Sequence, residues 1–184
     1  MNALQRWLPL AVLALITSGC ASTQVFPTPE ARQALTPTGK LRVAINLGNP
    51  ALAKRDAASG QVSGITLDLG RALASRLEAD FVPVLYPDAG ALLDAAKAGA
   101  WDLGFVAIDP ARADTLEFTA PYMEVGDTLH AIAVPRGRRP GLGFAAAFVE
   151  ELKSSGAVAE SIKRHAIRGV DVAPSAKGRA AAGR

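Results

Sequence analysis

The chain has 184 residues, of which 49% are hydrophobic and 5% aromatic, with a formal net charge of +3. That length allows one globular domain with a core, plus an export segment. The basic groups are scattered, and the densest cluster, Arg136, Arg138 and Arg139, lies among Gly and Pro and reads as a solvated loop, so no nucleic-acid partner is expected.

Arg6 precedes an apolar run from Trp7 to Ile16, followed by Thr17, Ser18, Gly19 and Cys20. A positive start, a short apolar run and small residues describe a signal peptide over 1–20. The run is too short to span a bilayer comfortably. Thr17-Ser18-Gly19-Cys20 resembles a lipobox, with Thr17 where Leu is usual. Cys20, the chain's one cysteine, is then lipidated and becomes the new N-terminus; with one cysteine no internal disulfide can form. Ordinary cleavage near Ala21 is the competing reading. Both place the mature chain outside the cytoplasm, in the periplasm. Residues 21–38 are rich in Pro, Thr and Ser and read as a tether.

Leu41, Val43 and Ile45 alternate along a first strand, which Asn46 to Pro50 ends in a loop. Leu69, Leu73 and Leu77 form an apolar helical stripe within Thr66 to Glu78. Phe81 to Leu85 is a second strand, which Pro83 assigns to an edge or a bulge. Asp88 caps a helix that turns Leu92, Leu93 and Ala96 inward and stops at Gly99. Trp101 to Ala107 is an apolar third strand, Asp109-Pro110 opens a short helix, and Thr128 to Val134 is a fourth strand. Phe144, Phe148 and Leu152 share one face of a helix that Gly156 ends, and a shorter helix follows through Ile162.

Strands alternating with helices predict an α/β fold with a mostly parallel sheet flanked by helices. Ligands of such sheets gather beyond the carboxyl ends of the strands. Those ends are Asn46 to Pro50, Tyr86 to Asp88 and Ala107 to Arg112.

Thr38-Gly39-Lys40-Leu41-Arg42-Val43-Ala44, Gly64-Ile65-Thr66-Leu67-Asp68-Leu69, Ala98-Gly99-Ala100-Trp101-Asp102-Leu103, Pro110-Ala111-Arg112-Ala113 and Phe118-Thr119-Ala120-Pro121-Tyr122 occur in that order. Together they resemble the extracellular solute-binding proteins of family 3, which serve polar amino-acid ABC transporters. The resemblance covers Gly39 to about Val134, and more loosely Phe144 to about Ile162. It implies a periplasmic-binding-protein type II-like lobe and a family with two lobes joined by crossing strands. Here residues 39–134 read as lobe one, 135–143 as a junction where most of lobe two is absent, 144–165 as helices packing on lobe one, and 166–184 as a disordered tail.

The resemblance implies that Arg112 pairs with a ligand carboxylate, which its planar fork of donors suits. Asp109 stands where the family often has Thr or Ser; it would repel an anion, and its expected role is to cap the short helix or pair with Arg112. The backbone N–H groups of Ala107 and Ile108 are candidate donors. Asn46 and Asn49 are either pocket residues or turn residues. Asp68 and Asp102 read as structural, and Tyr122 as packing beneath the lobe.

His130 and His165 fit no metal spacing. No nucleophile–base pair has a recognisable context. No cofactor, metal or enzymatic activity is expected. The expected function is the substrate-binding component of an ABC uptake system. Its partners would be an amino acid, an inner-membrane permease and the membrane through the lipid anchor. The alternative is a non-binding exported lipoprotein or interaction module derived from the same family.

Overall fold

Leu41, Val43 and Ile45 are fully buried on one face of strand β1 (Lys40–Asn46), and Ala44 is fully buried on the other. A strand apolar on both faces belongs in the middle of a sheet covered on both sides. The computed structural model, which describes residues 24–176, places it there. The signal peptide, Cys20 and residues 177–184 lie outside the described residues.

The other strands are β2 (Lys54–Arg55), β3 (Val62–Ser63), β4 (Asp80–Tyr86), β5 (Leu103–Ala107), β6 (Leu116–Val125), β7 (Thr128–Pro135) and β8 (Val170–Val172). Six of them form one sheet in the order β4-β1-β5-β7-β6-β8, and β2 and β3 form a separate ribbon. Pro83 lies in β4, at the sheet's edge, where its missing N–H costs no ladder bond. The helices are α1 (Pro29–Leu35), α2 (Ile65–Arg76), α3 (Ala89–Lys97), α4 (Arg139–Ser154) and α5 (Ala157–Arg164). Leu69 and Leu73 of α2, Phe148 and Leu152 of α4 and Val158 of α5 share one core with Leu41, Val43 and Ile45. Leu92 and Ala96 of α3 pack with Ala44, Trp101 and Val106 on the opposite face. The Trp101 Nε1–H donates to Leu92 O at 2.9 Å and locks that second layer. Gly64, at φ +148°, opens α2 where a Cβ would collide with the Leu52 carbonyl oxygen.

The α/β lobe flanked by helices is the expected one, but its sheet is mixed. β1 pairs parallel with β4 and β5, whereas β5–β7, β7–β6 and β6–β8 are antiparallel. β6 is unreadable as alternation because its register slips between Phe118 and Pro121 and again between Pro121 and Met123. The Thr119 hydroxyl accepts from Ile132 N–H at 3.2 Å across the first slip.

Three segments differ from their sequence-based expectation. Within the expected tether, Thr28 caps α1, and Ala31 and Leu35 are buried. Two apolar residues four apart suffice to dock one turn-pair on a neighbouring helix, and Gly141 of α4 gives Leu35 that room. Within the expected junction, β7 runs to Pro135 and α4 begins at Arg139, leaving a short turn at 136–138. Arg138 ties that turn down through Asp102 Oδ1 at 2.8 Å and Ala34 O at 3.2 Å. Within the expected tail, Val170–Val172 adds β8 to the edge of the sheet beside β6.

Strand polarity sets the two poles of the sheet. Ala107 opposes His130 at one end of β7, and Leu116 opposes Pro135 at the other. The turn at 136–138 therefore lies at the pole away from the carboxyl ends of β1 and β5. The chain reversal on their side is Gly126–Asp127, between β6 and β7.

One buried carboxylate, Asp102, holds the far pole. Asp102 is fully buried and accepts from Arg42 N–H at 3.0 Å, Arg42 Nε at 2.9 Å, Arg42 Nη2 at 2.7 Å and Arg138 Nη1 at 2.8 Å. A buried carboxylate is stable only when its lone pairs are met in this way. Asp68, in the first turn of α2, accepts from the Ser161 hydroxyl and Arg164 at 2.7 Å and meets His165 Nε2 at 2.9 Å, which fastens α5.

Candidate functional site

Where β1 ends, its last residue Asn46 turns back on the chain. The Oδ1 atom accepts from Gly48 N–H at 2.9 Å, and Asn49 Oδ1 does the same for Ala51 N–H at 3.0 Å. These side chain-to-backbone turns fix the loop. They also leave both side-chain NH2 groups without a partner among the described residues.

Where β5 ends, Asp109 Oδ1 caps the next turn through Ala111 N–H at 2.9 Å. That 3₁₀ turn, Pro110–Arg112, carries Arg112 back toward the strand end. Arg112 Nη1 donates to Ala107 O at 3.0 Å, and Nε lies 3.4 Å from Asp109 Oδ2. Its Nη2 group has no partner among the described residues.

Asn46, Asn49, Ala107 and Arg112 together line a pocket of about 220 Å³, closed by Leu52, Ala89, Val106, Val125, Thr128 and His130. The pocket thus lies at the carboxyl ends of the parallel strands. Asp109 and Ile108 are outside the lining. The Ile108 N–H donates to Leu129 O at 2.8 Å, so it is occupied by the sheet and not offered to a ligand. Asp109 acts as cap and as ion-pair partner of Arg112.

Val125, Thr128 and His130 were not legible as site residues. They reach the pocket because β7 runs antiparallel beside β5, which the strand–helix alternation does not announce. The one fixed positive charge in the lining is Arg112, and no carboxylate lines it. The pocket is therefore suited to an anionic group. Burial pushes His130 below the ordinary histidine value; the Thr128 carbonyl opposes this and the nearby Arg112 charge adds to it. Tyr122 lies elsewhere, fully buried in the main core with its ring edge-on to Phe105 at 5.6 Å. Burial without a hydrogen-bond partner raises the pKa of its hydroxyl. Among the described residues no group of His, Cys, Asp or Glu could hold a metal ion.

Three solved structures share this fold. Domain 1 of TmArgBP, in an arginine-bound form, is 23% identical with a TM-score of 0.58, covering 64% of this chain and 97% of that one. The amino acid ABC transporter substrate-binding protein AbpA from Streptococcus pneumoniae, bound to L-arginine, is 14% identical with a TM-score of 0.59, covering 72% and 97%. An ancestral cyclohexadienyl dehydratase is 13% identical with a TM-score of 0.62, covering 72% and 95%. No curated protein matches the chain. Residues 41–166 match the family described as bacterial extracellular solute-binding proteins, family 3. The match spans both halves of the sheet and both helices that follow it, so the chain belongs to the bacterial extracellular solute-binding proteins of family 3.

Proposed function

We propose that this protein is an exported, single-lobe receptor that binds an amino acid through its carboxylate and delivers it to an ABC permease. The observation that carries the reading is the convergence of Arg112, Asn46 and Asn49 on one pocket at the carboxyl ends of β1 and β5. Arg112 offers its free Nη2 edge to the carboxylate, and the two asparagine amides supply further donors. Domain 1 of TmArgBP has an arginine-bound form, which supports solute binding by one lobe without its partner lobe. An open, one-sided site covers less of the ligand than a closed cleft, so affinity is weaker than that of two-lobed relatives. A second lobe closing on this pocket would have to leave from the pocket's side of the sheet, at Gly126–Asp127, where β6 now turns directly into β7.

Cys20 is the proposed lipid anchor and places the receptor at the membrane surface of the periplasm; metabolic labelling with palmitate that persists in Cys20→Ser would contradict this. No helix among the described residues is long and apolar enough to cross a membrane. A thermal-shift screen of the purified protein against the amino acids tests the binding role. A rise in melting temperature with one or a few of them is expected, and no response to any overturns it.

The second reading is a non-binding interaction module. Its support is the Asp109 carboxylate, which already engages the arginine that a ligand carboxylate would need.

A further inference from the structure

The pocket holds an acceptor that carboxylate binding does not use. His130 is only 3% exposed and belongs to the lining. Its Nδ1 lies 3.2 Å from Thr128 O. A carbonyl oxygen only accepts, so Nδ1 carries the proton of the neutral ring and Nε2 holds a lone pair. Nε2 has no partner among the described residues. The burial that lowers the imidazole's pKa keeps the ring neutral at neutral pH.

Three other acceptors at the pocket already hold a hydrogen bond, and the Thr128 hydroxyl belongs to an exposed residue. Asn46 Oδ1 is taken by Gly48 N–H, Asn49 Oδ1 by Ala51 N–H and Ala107 O by Arg112. No Asp or Glu lines the pocket. A zwitterion seated with its carboxylate on Arg112 brings an ammonium into the same pocket, where an acceptor replaces part of the hydration that it loses. We propose that His130 Nε2 accepts a hydrogen bond from the ligand's α-ammonium, so that one lobe meets both charges of the amino acid. This role rests on the amino-acid reading above.

The charged surroundings of His130 are simple. Arg112, with Asp109 paired to it, faces it from the turn after β5. Its register partners are Ala107 on β5 and Met123 on β6, neither of them charged. Glu124, the next residue of β6, pairs in register with Leu129.

Calorimetry of the purified protein with two probes, L-arginine and its des-amino analogue 5-guanidinopentanoate, tests the proposal. The parent should prefer L-arginine. His130→Leu should weaken L-arginine by about tenfold, the worth of one hydrogen bond to a charged group, and leave the analogue unchanged. His130→Gln, which restores an acceptor oxygen, should recover part of the loss. Equal affinity of the parent for both probes, or equal loss of both probes in His130→Leu, overturns the role of His130 while leaving the Arg112 site standing. Failure of the folded parent to bind either probe, together with no response to any amino acid in the thermal-shift screen, overturns the amino-acid reading itself, and this role with it.

Discussion

Asp109 holds Arg112 from three residues away: Oδ2 lies 3.4 Å from the guanidinium Nε while Oδ1 caps the same turn. The carboxylate therefore positions the arginine and also competes with any ligand carboxylate for it. Asp109→Ser keeps a capping oxygen and removes the charge. We expect this variant to bind L-arginine severalfold more tightly in a calorimetric titration, because a pair at this exposure is worth roughly 0.2–1 kcal/mol to break. Unchanged or weaker binding would show that the carboxylate helps the ligand more than it hinders it.

Asp102 links β1 and β5 to the turn that enters α4, through two arginines on one buried carboxylate. Asp102→Ala leaves Arg42 and Arg138 without that partner. Loss of one member of a buried charge cluster costs about 3–5 kcal/mol. Urea unfolding monitored by tryptophan fluorescence should show a loss of that size, and a change below about 1 kcal/mol would mean that the cluster is solvated.

Leu35 is fully buried between α1 and α4. Leu35→Ala should cost about 2–5 kcal/mol in the same assay. A freely solvated tether would give a change within about 0.5 kcal/mol, so a result that small would remove α1 from the folded lobe.

Asp68 has a folded-state pKa below the usual carboxylate value. Burial acts to raise it, and the hydrogen bonds from Ser161 and His165, with the His165 and Arg164 charges, outweigh burial. A depressed carboxylate pKa contributes stability that is present above the unfolded value, near 3.8, and lost as pH falls through the folded value. The stability difference between the parent and Asp68→Asn should therefore shrink as pH falls below about 4. A difference that does not change with pH in this acid range would contradict the assigned network.

Much of this lobe is legible from pattern. β1, α2 and α3 carry clean periods of two or three to four, and Asp88 and Gly99 mark the ends of α3 as local chemistry dictates. The rest is hidden for physical reasons. Two register slips and Pro121 break the alternation of β6. Pro140, Gly141 and Gly143 make the start of α4 look like a loop, although a proline in the first turn is itself a helix-start signal. Thr28-Pro29-Glu30 was the same signal for α1. At the site, Arg112, Asn46, Asn49 and Ala107 follow from the strand ends. His130 could not, because its place depends on β7 lying antiparallel beside β5, a pairing made by tertiary structure and not by local sequence.

The most direct test of the account is a calorimetric titration of the protein and its Arg112→Ala variant with L-arginine and with agmatine, which lacks the carboxylate. The account predicts measurable binding of an amino acid by the parent, with L-arginine the first probe because domain 1 of TmArgBP has an arginine-bound form. Loss of the carboxylate or of the guanidinium should each weaken it by about ten- to hundredfold, the equivalent of roughly 1.5–3 kcal/mol for a charge-assisted hydrogen bond. A folded Arg112→Ala variant that binds L-arginine as tightly as the parent would contradict it.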